Sequence, residues 1–594
     1  SALDSEVDLS LGLDKSHFLV SLLDSLIAEK SRLRAMKKSG VSAAARADAS
    51  SRFRKSADRF RAIQQTIAQS RTPLGLPFMV SVDDNPWDSF DPLQGKPHVS
   101  DGAIKVTAYQ NEFEDVALSL FNPTGASIDV RAQFFPPKLG QGKPEGDPEL
   151  ARSITLRRLL PVQTASGAQV WDALPELDLS RSITVPPGES RQLWLTINTH
   201  GLPQGAHPVT LYLKALGMDS TVYSVPVEIT VLPIALPGTV YRKINWSSFA
   251  SAQASDQAVR DMIDHGINVI YGPTLPTIPV DENGALASPV DWTAFDAEMQ
   301  RVPSHFFLLW GAPAPLKWPG DAPEEGSDLH IRGLRTAIHE MNRHLDPMGF
   351  PYEQWAFYPL DEPWNTGFEY IPQFKAFCER IKAAEPRAQN YTDPAGATRV
   401  AFVEEFKDLI DVWQPEMNIL KRDPALVKWF QDNAKHFWAY EATGPGKDLL
   451  PLGYYRTYAW LAWHFGTEGA GYWVYRGEDT WWPVQGGDWS AVYQTNEFVV
   501  PSRRWQADRD GVEDYRAFHL LREEARRVRA AGHVRQAEEA EALISEAIAK
   551  VVGWQIGVID EITRHTREYE IDFDLLLAYR KRIAETTIAL RALN

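Results

Sequence analysis

Two adjacent carboxylates, Asp361 and Glu362, sit in the stretch Tyr358-Pro-Leu-Asp-Glu-Pro-Trp-Asn365, directly after the apolar run Trp355-Ala-Phe-Tyr358. A short apolar run ending in Pro reads as a buried strand, and carboxylates just past the C-terminal end of a parallel strand stand where an α/β barrel keeps its chemistry. The competing reading is a helix cap, with Asp361 at the N-cap and Pro363 in the first turn. Paired carboxylates suit glycoside cleavage: one acid protonates the leaving oxygen while a nucleophile or anion supports the oxocarbenium-like carbon. Two divisions of labour are open. Glu362 could be acid/base with Glu441 as covalent nucleophile. Alternatively Asp361 orients a substrate 2-acetamido group, whose carbonyl oxygen attacks C1, while Glu362 supplies and recovers the proton.

The elements that must position these groups are legible in the hydrophobic pattern. After Gly238, strand-like and helix-like segments alternate. Strands are expected at Val240–Asn245, Asn268–Tyr271, His305–Trp310, Trp355–Tyr358, Ala388–Thr392, Leu409–Trp413, His436–Tyr440 and Gly471–Tyr475. Eight strands separated by amphipathic helices such as Ile331–Leu345 predict an α/β fold of (β/α)8 type over 238–505. Around the carboxylate pair the expected substrate-binding residues are Trp310, Tyr358, Trp364, Tyr391, Asp393, Trp413, Tyr440, Glu441, Trp473 and Tyr475, with Glu478-Asp479 and Trp481-Trp482 following the last strand. Together they would form an aromatic-walled pocket with carboxylates at its floor.

Upstream, residues 73–237 change to period two, as in Ile128, Val130, Ala132, Phe134 and in Val225, Val227, Ile229, Val231, with turns at Asn122-Pro-Thr-Gly125 and Pro186-Pro-Gly188. An antiparallel β-sandwich is expected. Residues 1–72 read as a helical hairpin flanking Gly40, and 506–594 as a charged helical region. The run from Arg503-Arg504 to Glu513-Asp514 reads as an ion-pair network seating the post-barrel helix on the barrel wall.

Composition narrows the partners. A net charge of −17 over 594 residues argues against nucleic acid, which needs a basic face. The 20 Trp exceed what a core of this size needs and suggest platforms for flat apolar faces such as those of sugars. No run of about 20 apolar residues is present to span a membrane. The first residues lack the n- and h-regions of a signal peptide, so any leader is expected to have been removed from a secreted or periplasmic protein. Cys378, the single cysteine, is expected to be a buried apolar residue on a helix with Phe374, Phe377 and Ile381. His339-Glu-Met-Asn-Arg-His344 mimics a zinc protease helix but spaces its histidines i, i+5 rather than i, i+4. No metal and no cofactor are expected; kinase-like and serine-hydrolase motifs are missing as well.

Asp361-Glu362-Pro363, Phe437-Trp-Ala-Tyr440, Tyr454-Tyr-Arg-Thr-Tyr-Ala-Trp460, Gly471-Tyr-Trp-Val-Tyr475 and the stretch from Val500 to Tyr515 together make the chain resemble glycoside hydrolase family 123 and related proteins with the same catalytic domain. The resemblance covers about 240–520 and the preceding sandwich. It implies an N-acetyl-β-galactosaminidase acting by substrate assistance, with the Asp on the acetamido nitrogen and the Glu as acid/base, roles that fall on Asp361 and Glu362. The expected partner is an oligosaccharide or glycoconjugate. A conventional two-carboxylate glycosidase and a carbohydrate-binding protein without turnover are the rivals.

Overall fold

The period-two runs become two packed sheets, because alternate residues of a strand face opposite sides and the apolar set needs cover. In the computed structural model, which describes residues 77–593 apart from 84, 94–102, 135–147, 165–166, 168, 218–221, 239, 247–254, 366–367, 443–451, 477–489, 495–498 and 557–570, one sheet orders Met79–Asp83, Phe113–Phe121, Ser190–Asn198 and Ile154–Arg158. The other orders Ile104–Gln110, Tyr223–Ala235, Gly205–Ala215, Ile128–Gln133 and Ser182–Val185. Leu118, Leu120, Leu193, Leu195 and Ile197 from the first meet Val130, Leu211, Leu213, Val227 and Ile229 from the second in one buried core. The expectation of a wholly antiparallel sandwich needs one correction: Ile104–Gln110 pairs parallel to Tyr223–Ala235. These strands are far apart in the chain, so no hairpin dictates their direction. The expected hairpin of 1–72, like Glu478, Asp479, Trp481 and Trp482, lies outside the described residues.

From residue 240 the sheet is parallel, in the order Val269–Tyr271, Phe307–Trp310, Trp355–Phe357, Gln389–Thr392, Val412–Trp413, His436–Phe437. A further parallel pair joins Ala439–Glu441 to Ala470–Tyr472. Single parallel bridges link Ile244 to Val269 and Arg242 to Gly469, so the segment around Lys243 contacts strands from both ends of the series and the sheet curls. Gly471 permits this approach, since a Cβ there would lie 2.6 Å from the Ile244 carbonyl oxygen. The concave side is filled by Ile244, Val269, Phe307, Leu309, Ala356, Tyr358, Tyr391, Val412 and Trp438. Helices cover the convex side; Asp328–Leu345 is capped by the Ser327 hydroxyl and buries Leu334, Ile338, Met341 and Leu345. On the helix Ile371–Ala384, Cys378 is buried with Phe374 and Ile381, as its spacing implies.

The 28-residue helix Arg503–Ala530 runs through the expected boundary at 505 and binds the parts together. Its N-cap is Ser502, whose hydroxyl accepts from the Trp505 N–H at 3.0 Å. At Gly511 it passes so close to the helix Leu452–Phe465 that a Cβ would collide with the Arg456 carbonyl. The charges of its N-terminal half, from Arg503 to Asp514, are buried, and several are paired. Arg504 meets Asp172, on the strand Gln169–Ala173 of a separate hairpin, at 3.0 Å, and Arg509 meets Asp115 of the sandwich at 2.7 Å. Asp508 pairs with Lys243 of the parallel domain, and Asp514 takes Arg456 and, from the helix Phe573–Arg591, Arg580, each at 2.8 Å. The network therefore seats the helix against the sandwich as well as the parallel domain.

Candidate active site

Alternation along each parallel strand decides which side chains reach the concave face. Ile244 and Trp246, Val269 and Tyr271, Ala356 and Tyr358, and Trp438 share that side, and Tyr440 joins Trp246 there. At the C-terminal ends of these strands lies an open pocket of about 620 Å³, lined by Trp246, Tyr271, Gly311, Tyr358, Pro359, Leu360, Asp361, Glu362, Asp393, Tyr440, Ala442 and Trp473. The adjacent carboxylates thus fall in the pocket. No helix starts at Asp361; a turn with unusual backbone does.

In that turn Glu362 has φ +43° and Trp364 φ +67°. Non-glycine residues in this region cost about 1–3 kcal/mol each and persist where the surroundings hold them. The Glu362 N–H donates to Asp393 Oδ1 at 3.1 Å, and the Asn365 N–H to the Glu362 carbonyl at 3.2 Å. The loop after Gln389–Thr392 clamps the far side, with the Ala397 N–H on the Trp364 carbonyl at 3.0 Å. The Glu362 carboxyl accepts from the Tyr440 hydroxyl at 2.5 Å on Oε1 and from Asn365 Nδ2 at 2.6 Å on Oε2. Asp361 is exposed and accepts from the Tyr358 hydroxyl, which also lies 2.5 Å from Asp393 Oδ2. Burial pushes the Asp393 carboxyl well above the usual carboxylate range, and the Asp361 charge adds to the rise. Burial likewise raises the Tyr358 and Tyr440 hydroxyls, which stay protonated donors.

Of the sequence candidates, the pocket gathers Asp361, Glu362, Tyr358, Asp393, Tyr440 and Trp473. Trp473 is 43% exposed, as a wall residue offered to a ligand would be. Trp310 and Trp413 have the opposite parity: Trp310 packs on Trp355 with its indole N–H on the Pro273 carbonyl, and Trp413 packs on Trp429 and Phe430. Glu441, 1% exposed between Tyr440 and Ala442, points behind the wall and accepts from Asn418 Nδ2 at 3.0 Å. Trp364 is buried against Phe402 and Phe406. Tyr391 is interior, its hydroxyl on Gln414 Oε1 at 2.6 Å. Tyr475 is buried against Trp505 with its hydroxyl 3.0 Å from Asp261; its strand ends at Tyr472, so the parity it shares with Trp473 does not carry over. Trp246, Tyr271 and Asn365 were missed. Tyr271 ended an expected strand and Trp246 followed one, and both could have been found by extending parity from Val269 and Ile244; no sequence signal marked Asn365.

Among the described residues much of the Trp content serves the core: eleven Trp are buried there, and Trp246 and Trp473 line the pocket. His339 and His344 turn to different partners, Glu385 at 2.8 Å and Asp296 at 2.6 Å. Among the described residues no group of three His, Cys, Asp or Glu side chains could hold a metal ion, and no helix is long and apolar enough to cross a membrane.

The fold matches that of a family 123 glycoside hydrolase from Clostridium perfringens, studied for glycolipid glycan hydrolysis, with a TM-score of 0.54 over 87% of this chain and 98% of the other. Identity is 11%, so the likeness defines a distant glycoside-hydrolase-like fold and nothing finer. A family 39 glycoside hydrolase from Bacteroides cellulosilyticus (TM-score 0.32, 11% identity, 69% of this chain and 81% of that one) superposes far more loosely. So does a family 5 xyloglucanase from Bacteroides ovatus (TM-score 0.24, 9% identity, 73% and 99%). No protein-family model and no curated protein matches the sequence.

Proposed function

We propose that the protein is a retaining glycoside hydrolase that removes a terminal N-acetylhexosamine, with β-linked N-acetylgalactosamine favoured, by substrate assistance, and that its curled parallel sheet is a complete (β/α)8 barrel. The observation that carries this reading is the division within the carboxylate pair: Asp361 is exposed at the pocket, whereas Glu362 is held by the neutral donors Tyr440 and Asn365. Asp361 accepts from the acetamido N–H and turns the acetamido carbonyl oxygen toward C1. A bond forms from that oxygen to C1 as the C1–O glycosidic bond breaks, and Glu362 delivers its proton to the departing oxygen. Water then adds to C1, the ring formed with the acetamido group reopens, and Glu362 takes the water's proton. Neutral partners suit Glu362 because it gains and loses a proton without breaking an ion pair.

The turn of Glu441 away from the pocket supports the acetamido group, rather than a second carboxylate, as nucleophile. The test is hydrolysis of chromogenic β-GalNAc, β-GlcNAc and β-galactosides, followed by the same assay on Asp361→Asn and Glu441→Gln. Cleavage of the N-acetyl sugars alone, a severe loss in Asp361→Asn and no covalent glycosyl-enzyme by mass spectrometry are expected. Cleavage of the plain galactoside with an adduct trapped on Glu441 overturns the mechanism; no cleavage of any substrate overturns the enzyme.

A further inference from the structure

We propose that Asp393 is a positioning residue that touches no sugar: through the Tyr358 hydroxyl it orients Asp361, and through the backbone N–H of Glu362 it holds the second carboxylate of the pair. The inference rests on the hydrolase reading for its kinetic tests and on geometry for the rest. Asp393 borders the pocket yet is 0% exposed. Both its oxygens face inward, Oδ1 to the Glu362 N–H at 3.1 Å and Oδ2 to Tyr358 Oη at 2.5 Å. With no exposed surface, its carboxyl presents no accessible oxygen to a ligand. It does, however, tie the Tyr358 hydroxyl to the backbone of the turn that carries the pair, and Glu362 stands there in a backbone conformation that needs holding.

A proton count sharpens the argument. Tyr358 Oη lies within hydrogen-bond distance of carboxyl oxygens of both Asp361 and Asp393 but has one proton to give. Both contacts are satisfied when Asp393 carries a proton and donates it to Tyr358 Oη, while Tyr358 donates to Asp361. The resulting chain aims a donor at Asp361 and leaves it the charged member. The burial of Asp393 beside the Asp361 charge favours the same assignment. The titratable groups facing Asp393 are Tyr271, Tyr358, Asp361, Glu362, Tyr391 on its own strand, and Tyr440. All six are acids or phenols that add negative charge or none, which keeps the proton on Asp393 as pH rises.

The experiment compares Asp393→Asn, Asp393→Ala and Tyr358→Phe on the chromogenic substrate that the wild type cleaves, with melting temperatures. An Asn amide can donate to Tyr358 Oη as the acid's O–H does and still accept from the Glu362 N–H. Asp393→Ala is expected to lower kcat about 10²-fold with KM little changed, as misplacement of reacting groups does, and Asp393→Asn to rescue most of that loss. A raised KM with kcat intact shows a sugar contact and overturns the proposal; so does an Asp393→Asn variant as impaired as Asp393→Ala, which shows that a charge is needed. Should Asp393→Ala not fold, Asp393→Asn with Tyr358→Phe decides: the proposal requires the Phe variant to lose kcat and the Asn variant to keep it. Infrared difference spectra need no turnover. The wild-type-minus-Asp393→Asn difference spectrum at neutral pH should contain the C=O stretch of a protonated carboxylic acid, the other buried acids cancelling; a difference without that band overturns the proposal even if hydrolysis is robust, and a difference with it upholds the proposal even if no glycoside is cleaved.

Discussion

Two dense groups of carboxylates among the described residues differ in what faces them. Along the helix Arg503–Ala530, Asp508 and Asp514 are buried against Lys243, Arg456 and Arg580. At the pocket, Asp361, Glu362 and Asp393 take hydrogen bonds from tyrosine hydroxyls, an asparagine amide and a backbone N–H. A buried carboxylate paired with a guanidinium or an ammonium is tied to its partner, because neutralising either one strands the other as an ion in low dielectric. A carboxyl bonded by neutral groups can change protonation and keep its neighbours. The first arrangement docks domains, and the second suits proton transfer.

The largest effect that would break this contrast is expected at the pocket. Glu362→Gln should lower turnover by about 10²–10⁴-fold, the usual contribution of a general acid, with an unchanged melting temperature. Substrates with activated leaving groups should lose less, and activity within a few-fold of wild type would remove Glu362 from its role. At the interface the effect should fall on stability instead. Asp514→Ala leaves Arg456 and Arg580 buried without it, and breaking such a pair typically costs about 3–5 kcal/mol; denaturant melts measure it, while kcat per folded molecule should hold.

The aromatic residues sharpen the same division. Trp310→Ala should cost about 3–5 kcal/mol of stability, as truncation of a buried Trp does, and leave kinetics of the folded fraction unchanged. Trp473→Ala should raise KM several-fold with little change in melting temperature. The reverse pattern would exchange their assignments to core and site.

The smallest effect concerns Asp261, which accepts from Trp505 Nε1 at 2.9 Å and from the Tyr475 hydroxyl at 3.0 Å. Burial raises its carboxyl from 3.8 to about 6, against these two hydrogen bonds, which lower it. The folded protein therefore binds this proton more tightly than the unfolded chain does. Its ionisation destabilises the fold progressively as pH rises from 3.8 to about 6, and not below that window. The melting-temperature advantage of Asp261→Asn over wild type should grow across this range and then level off; a gap that is constant with pH would contradict the burial argument.

Much of the fold was legible because it rests on local patterns. Period two over 128–231 foretold sandwich strands, and the alternating segments after Gly238 foretold where parallel strands fall, since burial of an apolar face imposes its period on the sequence; Leu409–Trp413 shortens to Val412–Trp413, Gly471–Tyr475 ends at Tyr472, and Val240–Asn245 is held by single bridges. The spacing of the Arg503–Asp514 charges foretold ion pairs on a helix. The site was less legible. Trp310, Trp413 and Glu441 end strands as anticipated, yet point to the convex side, because a strand end names a place and not a face, and one residue of phase reverses it. Tyr475 lay past the end of pairing, where parity no longer applies.

By itself, then, the sequence determined the kinds of element, their order and the position of Asp361 and Glu362 in the chain, all of which follow from local periodicity and turn chemistry. Only the tertiary structure decided that Asp393 and Tyr440 converge on that pair, that Glu441 turns away, and that the charged helix is gripped by sandwich and parallel domain together. Those outcomes depend on strand register and on contacts between residues tens to hundreds of positions apart, and no local pattern encodes them.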